Sequence, residues 1–244
     1  MPQLINNSAV LRTAFSSNTL TGNCSIAHPV QQPGRYVVFV WRQERCVASG
    51  ALEVSDSGGE NQANLDCSAL ESIGRTQPLS TPSQDCALRK GGHLLLFSSQ
   101  GDGAYYATLN DRTGQKQLWD SRTLVAGDLY SLLALVPGIY SITNQLAGKN
   151  ASMEVEFHPS PAEITGRIDK NPVYVKCSAG GFEPAEWRTS GAQPVVFAVG
   201  LPSIISTALQ KSTAEPRSKE QRLAYEHQRL LEALGRLKKP GVKA

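Results

Sequence analysis

The sequence predicts an all-β protein, made of one or two antiparallel β-sandwiches and followed by a C-terminal amphipathic α-helix. Three observations support this prediction. Short runs of β-branched and aromatic residues recur along the chain and are separated by turns rich in Gly, Pro, Asn and Asp. Several runs alternate between apolar and polar residues, which indicates strands with one buried face. Charged residues make up only 18% of the chain, and the abundance of uncharged polar residues is typical of antiparallel sheets with a solvated face.

The strand-like runs group into an N-terminal β domain at 1–75 and a larger β-sandwich domain at 91–211. A linker at 76–90 is predicted to join them. The remaining segment, 212–244, is predicted to be a basic helix and tail. The length of 244 residues suits one large or two ordinary domains, each with its own core.

In the N-terminal domain, the run at 35–41 is almost entirely β-branched and aromatic, so we interpret it as a buried strand. The run at 47–54 is its predicted hairpin partner. Residues 60–90 are polar, which predicts a loop with at most one short helix at 69–73.

In the second domain, turn residues interrupt the strand-like runs about every ten residues, as in sandwiches and barrels. The first six runs are 93–99, 104–110, 115–119, 128–135, 139–144 and 152–157. A further group of runs comprises 172–178, 181–187, 194–199 and 204–209.

A short internal similarity links the two domains. A Pro-Gly turn followed by a Tyr-bearing strand occurs at 33–36 and again at 137–140. Each is followed by a similar return segment, Leu-Glu-Val at 52–54 and Met-Glu-Val at 153–155. Tandem sandwiches would produce this pattern, and so would the independent use of one turn.

Residues 165–200 resemble cupredoxin-like β-sandwich domains. The segment at 181–199, GFEPAEWRTSGAQPVVFAV, carries the similarity. An aromatic residue is followed two positions later by Pro, then by a strand, a Gly turn and an apolar strand. The resemblance implies an immunoglobulin-like or cupredoxin-like sandwich.

The copper ligands of that family are missing from the expected positions. A blue-copper centre needs two His, a Cys thiolate and an axial ligand that is usually Met. No His follows Cys177 before His227, and the methionines are Met1 and Met153. Because these ligands are missing, a redox or metal protein of cupredoxin descent ranks only third among our functional hypotheses. We predict that the protein has no cofactor.

The C-terminal segment has the pattern of an amphipathic helix. Four leucines fall on one stripe around His227, and basic residues lie beside them. The residues predicted to bind a partner are Leu223, His227, Leu230, Leu234 and Leu237, with Arg222, Arg229 and Arg236. Such a helix can pack on the sandwich, enter a partner's groove, pair with its own copy or lie on an anionic surface.

Charge separates the tail from the rest of the chain. Residues 215–244 hold eight basic and four acidic residues, a charge of +4, and the remainder carries −1. A nucleic-acid-binding body would be basic, so we exclude that class. No run is long and apolar enough to span a membrane, and the N-terminus lacks a signal-peptide pattern, so we expect a cytoplasmic protein.

No sequence motif for catalysis or metal binding is present. The four histidines are scattered, and nucleotide-binding, hydrolase and metalloprotease motifs are missing. The five cysteines form no close cluster, and we interpret them as buried thiols, with disulfides among Cys24, Cys46, Cys67 and Cys86 as the alternative.

The sequence thus favours a non-enzymatic structural or interaction protein, part of a larger assembly, which docks on a protein partner or its own copy through the C-terminal helix. The alternative is a module that binds carbohydrate or another ligand on an aromatic platform. The platform residues would be Tyr105, Tyr106, Trp119 and Tyr130.

Overall fold

The computed structural model describes residues 12–74, 85–99, 103–156, 171–191 and 193–212. These residues form sixteen strands and one helix. The first elements are β1 (Ala14–Ser16), β2 (Cys24–Pro29), β3 (Gly34–Arg42), β4 (Arg45–Ser55), β5 (Glu60–Asp66), α1 (Cys67–Gly74), β6 (Asp85–Phe97), β7 (Tyr105–Asp111) and β8 (Gln117–Asp120). The others are β9 (Leu129–Leu132), β10 (Gly138–Asn144), β11 (Lys149–Glu156), β12 (Val173–Ser178), β13 (Gly181–Glu183), β14 (Glu186–Ser190), β15 (Val195–Val199) and β16 (Ile205–Ser212).

The predicted all-β character is confirmed, with two corrections. Residues 60–90 are not a loop, because β5 and the start of β6 lie there, and α1 covers the predicted short helix. The sheets are not purely antiparallel, because β4 and β5 pair with β6, β11 with β14 and β12 with β15 in parallel. The predicted C-terminal helix lies outside the described residues. No helix within the described ranges is long and apolar enough to cross a membrane.

The centre of the molecule is a sheet that we call the central sheet, in the order β5-β6-β2-β9-β15-β12-β13. Its inward side chains, such as Ile26, Leu96, Tyr130 and Phe197, are fully buried. Burial of these apolar side chains, worth about 25 cal/mol per Å², is the main stabilising contribution.

β6 connects the central sheet to further strands within one continuous eleven-stranded sheet, and Gly91 and Gly92 separate its two halves. Its second half pairs with β2, while its first half pairs with β4, which is followed in order by β3, β7 and β8. Gly91 has a φ of +77°, and a Cβ at Gly92 would lie 2.8 Å from the backbone oxygens of Arg89 and Asn61. Only glycine fits these two positions without a shift of the backbone.

The strand pairings occur twice in the chain. The hairpin β3–β4 is flanked by antiparallel β7 and parallel β6, and the hairpin β10–β11 is flanked by antiparallel β16 and parallel β14. In the central sheet, β5-β6-β2 and β12-β15-β9 have the same pairing directions. The chain therefore contains two topologically equivalent repeats, at 13–111 and 117–212, as a tandem duplication would produce.

The two repeats meet through their equivalent strands β2 and β9, which pair antiparallel with Ile26 opposite Tyr130. Because Ile26 and Tyr130 are equivalent positions, a pseudo-twofold axis passes between them. The domain boundaries at 75 and 91 remain predictions, and the central sheet joins strands from both sides of them.

We call β6-β4-β3-β7 the outer sheet of the first repeat and β14-β11-β10-β16 that of the second, and each repeat adds a strand to the outer sheet of the other. β1 of the first repeat pairs with β16, and β8 of the second repeat pairs with β7. Ser17 and Ser121 fix these exchanges in the same way. The Ser17 N–H donates to Ile205 O and its Oγ accepts from Ile205 N, while Ser121 makes both bonds with Ala107, all four at 2.9 Å.

A tyrosine anchors the start of the hairpin in both repeats. Tyr36 Oη donates to Gln32 O and Tyr140 Oη donates to Val136 O, each at 2.7 Å. The preceding Gly34 and Gly138 share a φ of 153°. Burial raises the pKa of Tyr140 to about 12.

We expect Tyr140→Phe to lower the free energy of unfolding by about 1 kcal/mol, because the partly buried Val136 oxygen loses its donor. Tyr36→Phe is its matched control, and its loss should be smaller because that bond is exposed to water. Urea denaturation of the two variants measures both values. Equal losses would contradict the expected dependence on burial.

The core of the second repeat is organised around Phe197. Its ring stacks on Tyr130 at 5.9 Å and meets the rings of Phe182 and Trp187 edge-on at 6.0 and 6.1 Å. Trp187 belongs to β14, so this contact joins the outer sheet to the central sheet. The equivalent position in the first repeat is the fully buried Leu96.

Candidate interaction surface

The outward side of β3 carries the aromatic residues that distinguish the two repeats. Val38 and Val40 point inward and are buried, whereas Val37, Phe39 and Trp41 alternate with them and are partly exposed. Trp41 lies opposite Tyr106 of β7. We call the surface formed by Val37, Phe39, Trp41 and Tyr106 the aromatic face.

The rings of the aromatic face form a continuous row. The ring centroids of Trp41 and Tyr106 are 6.0 Å apart with an interplanar angle of 6°, and Phe39 lies 6.3 Å from Trp41. Trp41 Nε1 donates to Thr108 Oγ1 at 3.2 Å, which holds the indole on the sheet. Aromatic pairs in such geometry contribute about 0.5–1.5 kcal/mol beyond the burial of their area.

Arg122 closes one end of this row. Its guanidinium carbon lies 4.3 Å from the Tyr106 ring centroid. Asp120 orients it through two parallel hydrogen bonds, Nε to Oδ1 at 3.1 Å and Nη2 to Oδ2 at 2.7 Å. These bonds raise the pKa of Arg122, and burial raises that of Tyr106, whose hydroxyl donates to Glu44. The result is an aromatic surface with a fixed cation at its rim.

The second repeat shows that the fold does not need these aromatic residues. By strand register, the positions equivalent to Val37, Phe39 and Trp41 are Ser141, Thr143 and Gln145. Both repeats keep the same topology, so this topology also forms with polar side chains at these positions. The aromatic side chains on β3 therefore distinguish the first repeat from the second.

The structure separates the four predicted platform residues. Tyr106 lies on the outward side of β7, but Trp41 and Arg122 cover its ring and leave it only 9% exposed. Tyr105 points inward, where burial raises its pKa to about 12 and its hydroxyl donates to Glu71, the partner of Arg42. Tyr130 is fully buried on Phe197. Carbohydrate binding by this set stays a prediction.

The fourth platform residue, Trp119, lies at the junction of the repeats. Its Nε1 donates to Asp128 Oδ2 at 3.2 Å, and its ring stacks on His28 at 4.2 Å. Asp128 is fully buried, and it also bonds His28 Nδ1 at 2.7 Å and accepts from Val125 N at 2.8 Å. This cluster fastens the exchanged strand β8 to β2 and β9, which explains why a carboxylate is buried there.

No disulfide joins the five cysteines in the structure, and Cys24, Cys67 and Cys177 are buried, whereas Cys46 and Cys86 are half-buried. Burial raises the pKa of Cys24 to about 11 and that of Cys67 to about 12, so neither thiol is a ready nucleophile at neutral pH. Cys67 and Cys177 occupy equivalent inward positions of the two repeats. Within the ranges that the structure describes, no group of three or more His, Cys, Asp or Glu side chains could hold a metal ion.

No family model, curated protein or solved structure matches this chain. The predicted partner-binding residues of the C-terminal helix lie outside the described residues. Sequence reasoning missed the aromatic face because the nearly continuous apolar run at 35–41 suggested a strand buried on both sides. An alignment of the two Pro-Gly-x-Tyr segments places Phe39 at the same position as Thr143. This difference is the signal in the sequence that could have revealed the aromatic face.

Proposed function

We propose that this protein is a non-enzymatic interaction component of a larger assembly, built from two β-sandwich repeats, and that it binds a protein partner on the aromatic face. The observation that carries the proposal is the difference between the repeats. Equivalent surfaces of one duplicated fold are aromatic in the first repeat and rich in Ser, Thr and Gln in the second.

The composition of the aromatic face supports a protein partner. Trp, Tyr and Arg are the residues that most often dominate the binding energy of protein interfaces. Here Trp41, Tyr106 and Arg122 are held in one row by stacking and by the Asp120 carboxylate. Leu118, 47% exposed on the neighbouring strand, extends the apolar area. A rigid surface of this kind loses little conformational entropy on binding.

The basic row of the C-terminal segment is a second docking element in this proposal. Arg222, Arg229 and Arg236 are spaced by seven residues, which places them along one side of the predicted helix. They would contact acidic groups of the assembly, because the tail holds the net positive charge of the chain.

Site-specific photo-crosslinking in cells tests the partner site. A photoreactive phenylalanine analogue at position 39 is expected to give an adduct with one discrete polypeptide. The same analogue at position 143, the equivalent position of the second repeat, is the matched control and should give none. Adducts from both positions, or from neither, would overturn the assignment.

Phe39→Thr with Trp41→Gln gives the first repeat the side chains of the second. We expect the crosslinked partner to bind this variant at least about 30-fold more weakly, since two central aromatic residues together contribute 2 kcal/mol or more. Titration calorimetry with the purified partner measures the change. Ser141→Ala with Thr143→Ala is the control and should leave the affinity unchanged.

A further inference from the structure

The outer surface of the central sheet is a second apolar area, on the side away from the outer sheets. It is formed by residues that alternate with the buried ones. We call it the central face, and its apolar residues are Ala27, Leu95, Phe97, Leu129, Val196 and Ala198.

Strand register places these side chains side by side. Ala27 lies between Leu95 and Leu129 on the adjacent strands, and Leu129 lies opposite Ala198. All are partly exposed, whereas the inward residues next to them, such as Leu94 and Ile26, are fully buried. At the edge of the face, Tyr174 is 66% exposed.

The central face differs from the aromatic face because both repeats contribute apolar residues to it. Leu95 and Val196 are equivalent positions, and so are Phe97 and Ala198. The pseudo-twofold axis passes through the middle of this surface. Ser25 and Ser131 form a hydrogen-bonded pair at 2.6 Å beside this axis, and the apolar residues of both repeats lie around that pair.

We infer that the leucine stripe of the chain's own C-terminal segment, residues 219–238, covers the central face. A sheet face that carries apolar side chains is usually buried against a helix or another sheet. The apolar residues lie on β6, β2, β9 and β15, and Tyr174 of β12 adds a fifth strand. The area is therefore about 19 Å wide, at about 4.8 Å between strands. Leu223 and Leu237 are about 21 Å apart along a helix, at 1.5 Å per residue, so the stripe matches the sheet in length.

A helix fits the area better than a second copy of the protein does. A stable interface between two proteins buries about 800 Å² on each partner. A strip about 19 Å wide and two same-side residues, or about 14 Å, tall is smaller, at roughly 270 Å². One amphipathic helix covers a strip of that size.

The end of β16 lies within reach of the central face. Ser212 is opposite Gly138, which follows β9 after five residues, so the chain leaves the outer sheet near the end of a central strand. Six residues separate Ser212 from Lys219 and can span about 20 Å, whereas the two layers are about 10 Å apart. Attachment to the same chain gives the helix an effective concentration in the millimolar range.

This arrangement leaves the basic row free for the assembly. Each arginine of the row immediately precedes a leucine of the stripe. Adjacent residues are about 100° apart around a helix, so the arginines lie beside the stripe. Leu230 would face the sheet while Arg229 stays at the edge of the contact, in water. The covering of the central face is independent of the partner proposed for the aromatic face.

Hydrogen exchange on the full-length protein, measured by mass spectrometry without any partner, tests the inference. Most of the stability of a helix in a protein comes from packing of its apolar face, so strong protection of amides 219–238 requires docking. We expect protection in the parent and at least about tenfold faster exchange in Leu95→Asp with Val196→Asp. Phe39→Thr, on the aromatic face, is the matched control and should leave the protection unchanged.

Substitutions in the C-terminal segment test whether it covers the central face, even if the substitutions in the central sheet unfold the β-sheets. Leu230→Asp with Leu234→Asp should uncover the central face and raise binding of an apolar fluorescent dye several-fold, with the exchange of β9 and β15 amides unchanged. Three results would overturn the inference. They are a parent tail without protection, protection that survives Leu95→Asp with Val196→Asp in a folded protein, and protection that rises with protein concentration.

Discussion

Asp128→Ala is expected to lower the free energy of unfolding by about 3–5 kcal/mol at neutral pH, because it removes one partner from a buried polar cluster. The fully buried Asp128 carboxylate accepts hydrogen bonds from Trp119 and Val125 and bonds His28 Nδ1 at 2.7 Å. Without it, the Trp119 and Val125 donors would stay buried without an acceptor, at about 1–3 kcal/mol each.

Urea denaturation of the two Asp128 variants measures this effect. Asp128→Asn is the matched control, since its amide oxygen can still accept from Trp119 and Val125, and its loss should be less than half that of the alanine variant. A loss below about 1 kcal/mol for Asp128→Ala would contradict the structural role of the cluster. Because the cluster fastens β8, a reduced denaturant slope would indicate that β8 separates first.

Phe197→Ala should be the most destabilising change in the core, by about 3–5 kcal/mol. The ring contacts Tyr130, Phe182 and Trp187, so its removal leaves a cavity bordered by three aromatic side chains that cannot all close in. Trp187 would lose its contact between the two layers.

Phe197→Leu is the informative control for this core, because leucine occupies the equivalent position 96 of the first repeat. We expect a loss of about 1.5 kcal/mol or less, as for other substitutions that nearly conserve volume. Thermal and urea unfolding curves of both variants, recorded by far-ultraviolet circular dichroism, give the comparison. Equal losses for alanine and leucine would show that the ring contacts do not determine the stability of this core.

Strands with strong alternation could be predicted from the sequence, and those with few apolar residues could not. β3, β4, β10 and β11 have two or more inward apolar residues in register, so their pattern is clear. β5 has only Ala63 and Leu65 on its buried side, and polar residues elsewhere hid it within the predicted loop.

The glycine pair in β6 also hid part of a strand from the sequence prediction. Gly91 and Gly92 resemble a turn, whereas in the structure they lie within one strand and separate its two halves. The local sequence around them does not show which strands are its neighbours. The parallel pairings of β6 with β4 and β5 therefore could not be derived from the sequence.

The aromatic face was hidden for a related reason. Phe39 and Trp41 are apolar and stand beside buried valines, and apolarity alone does not tell an inward from an outward position in a continuous run. Their outward direction follows from the inward Val38 and Val40. The similarity between the two Pro-Gly-x-Tyr segments was visible in the sequence, and the structure extends it to the pairing scheme of whole repeats.

The exchange of first strands has a consequence for synthesis of the protein on the ribosome. Ala14 pairs with Ala208, so β1 is synthesised 194 residues before the strand with which it pairs in a sheet. The first repeat in turn needs β8, which is made only after its own β7 is complete. Neither half can finish folding as it emerges, and contacts between such distant segments slow folding. Until translation passes about residue 210, the nascent chain exposes strand edges that the finished protein covers.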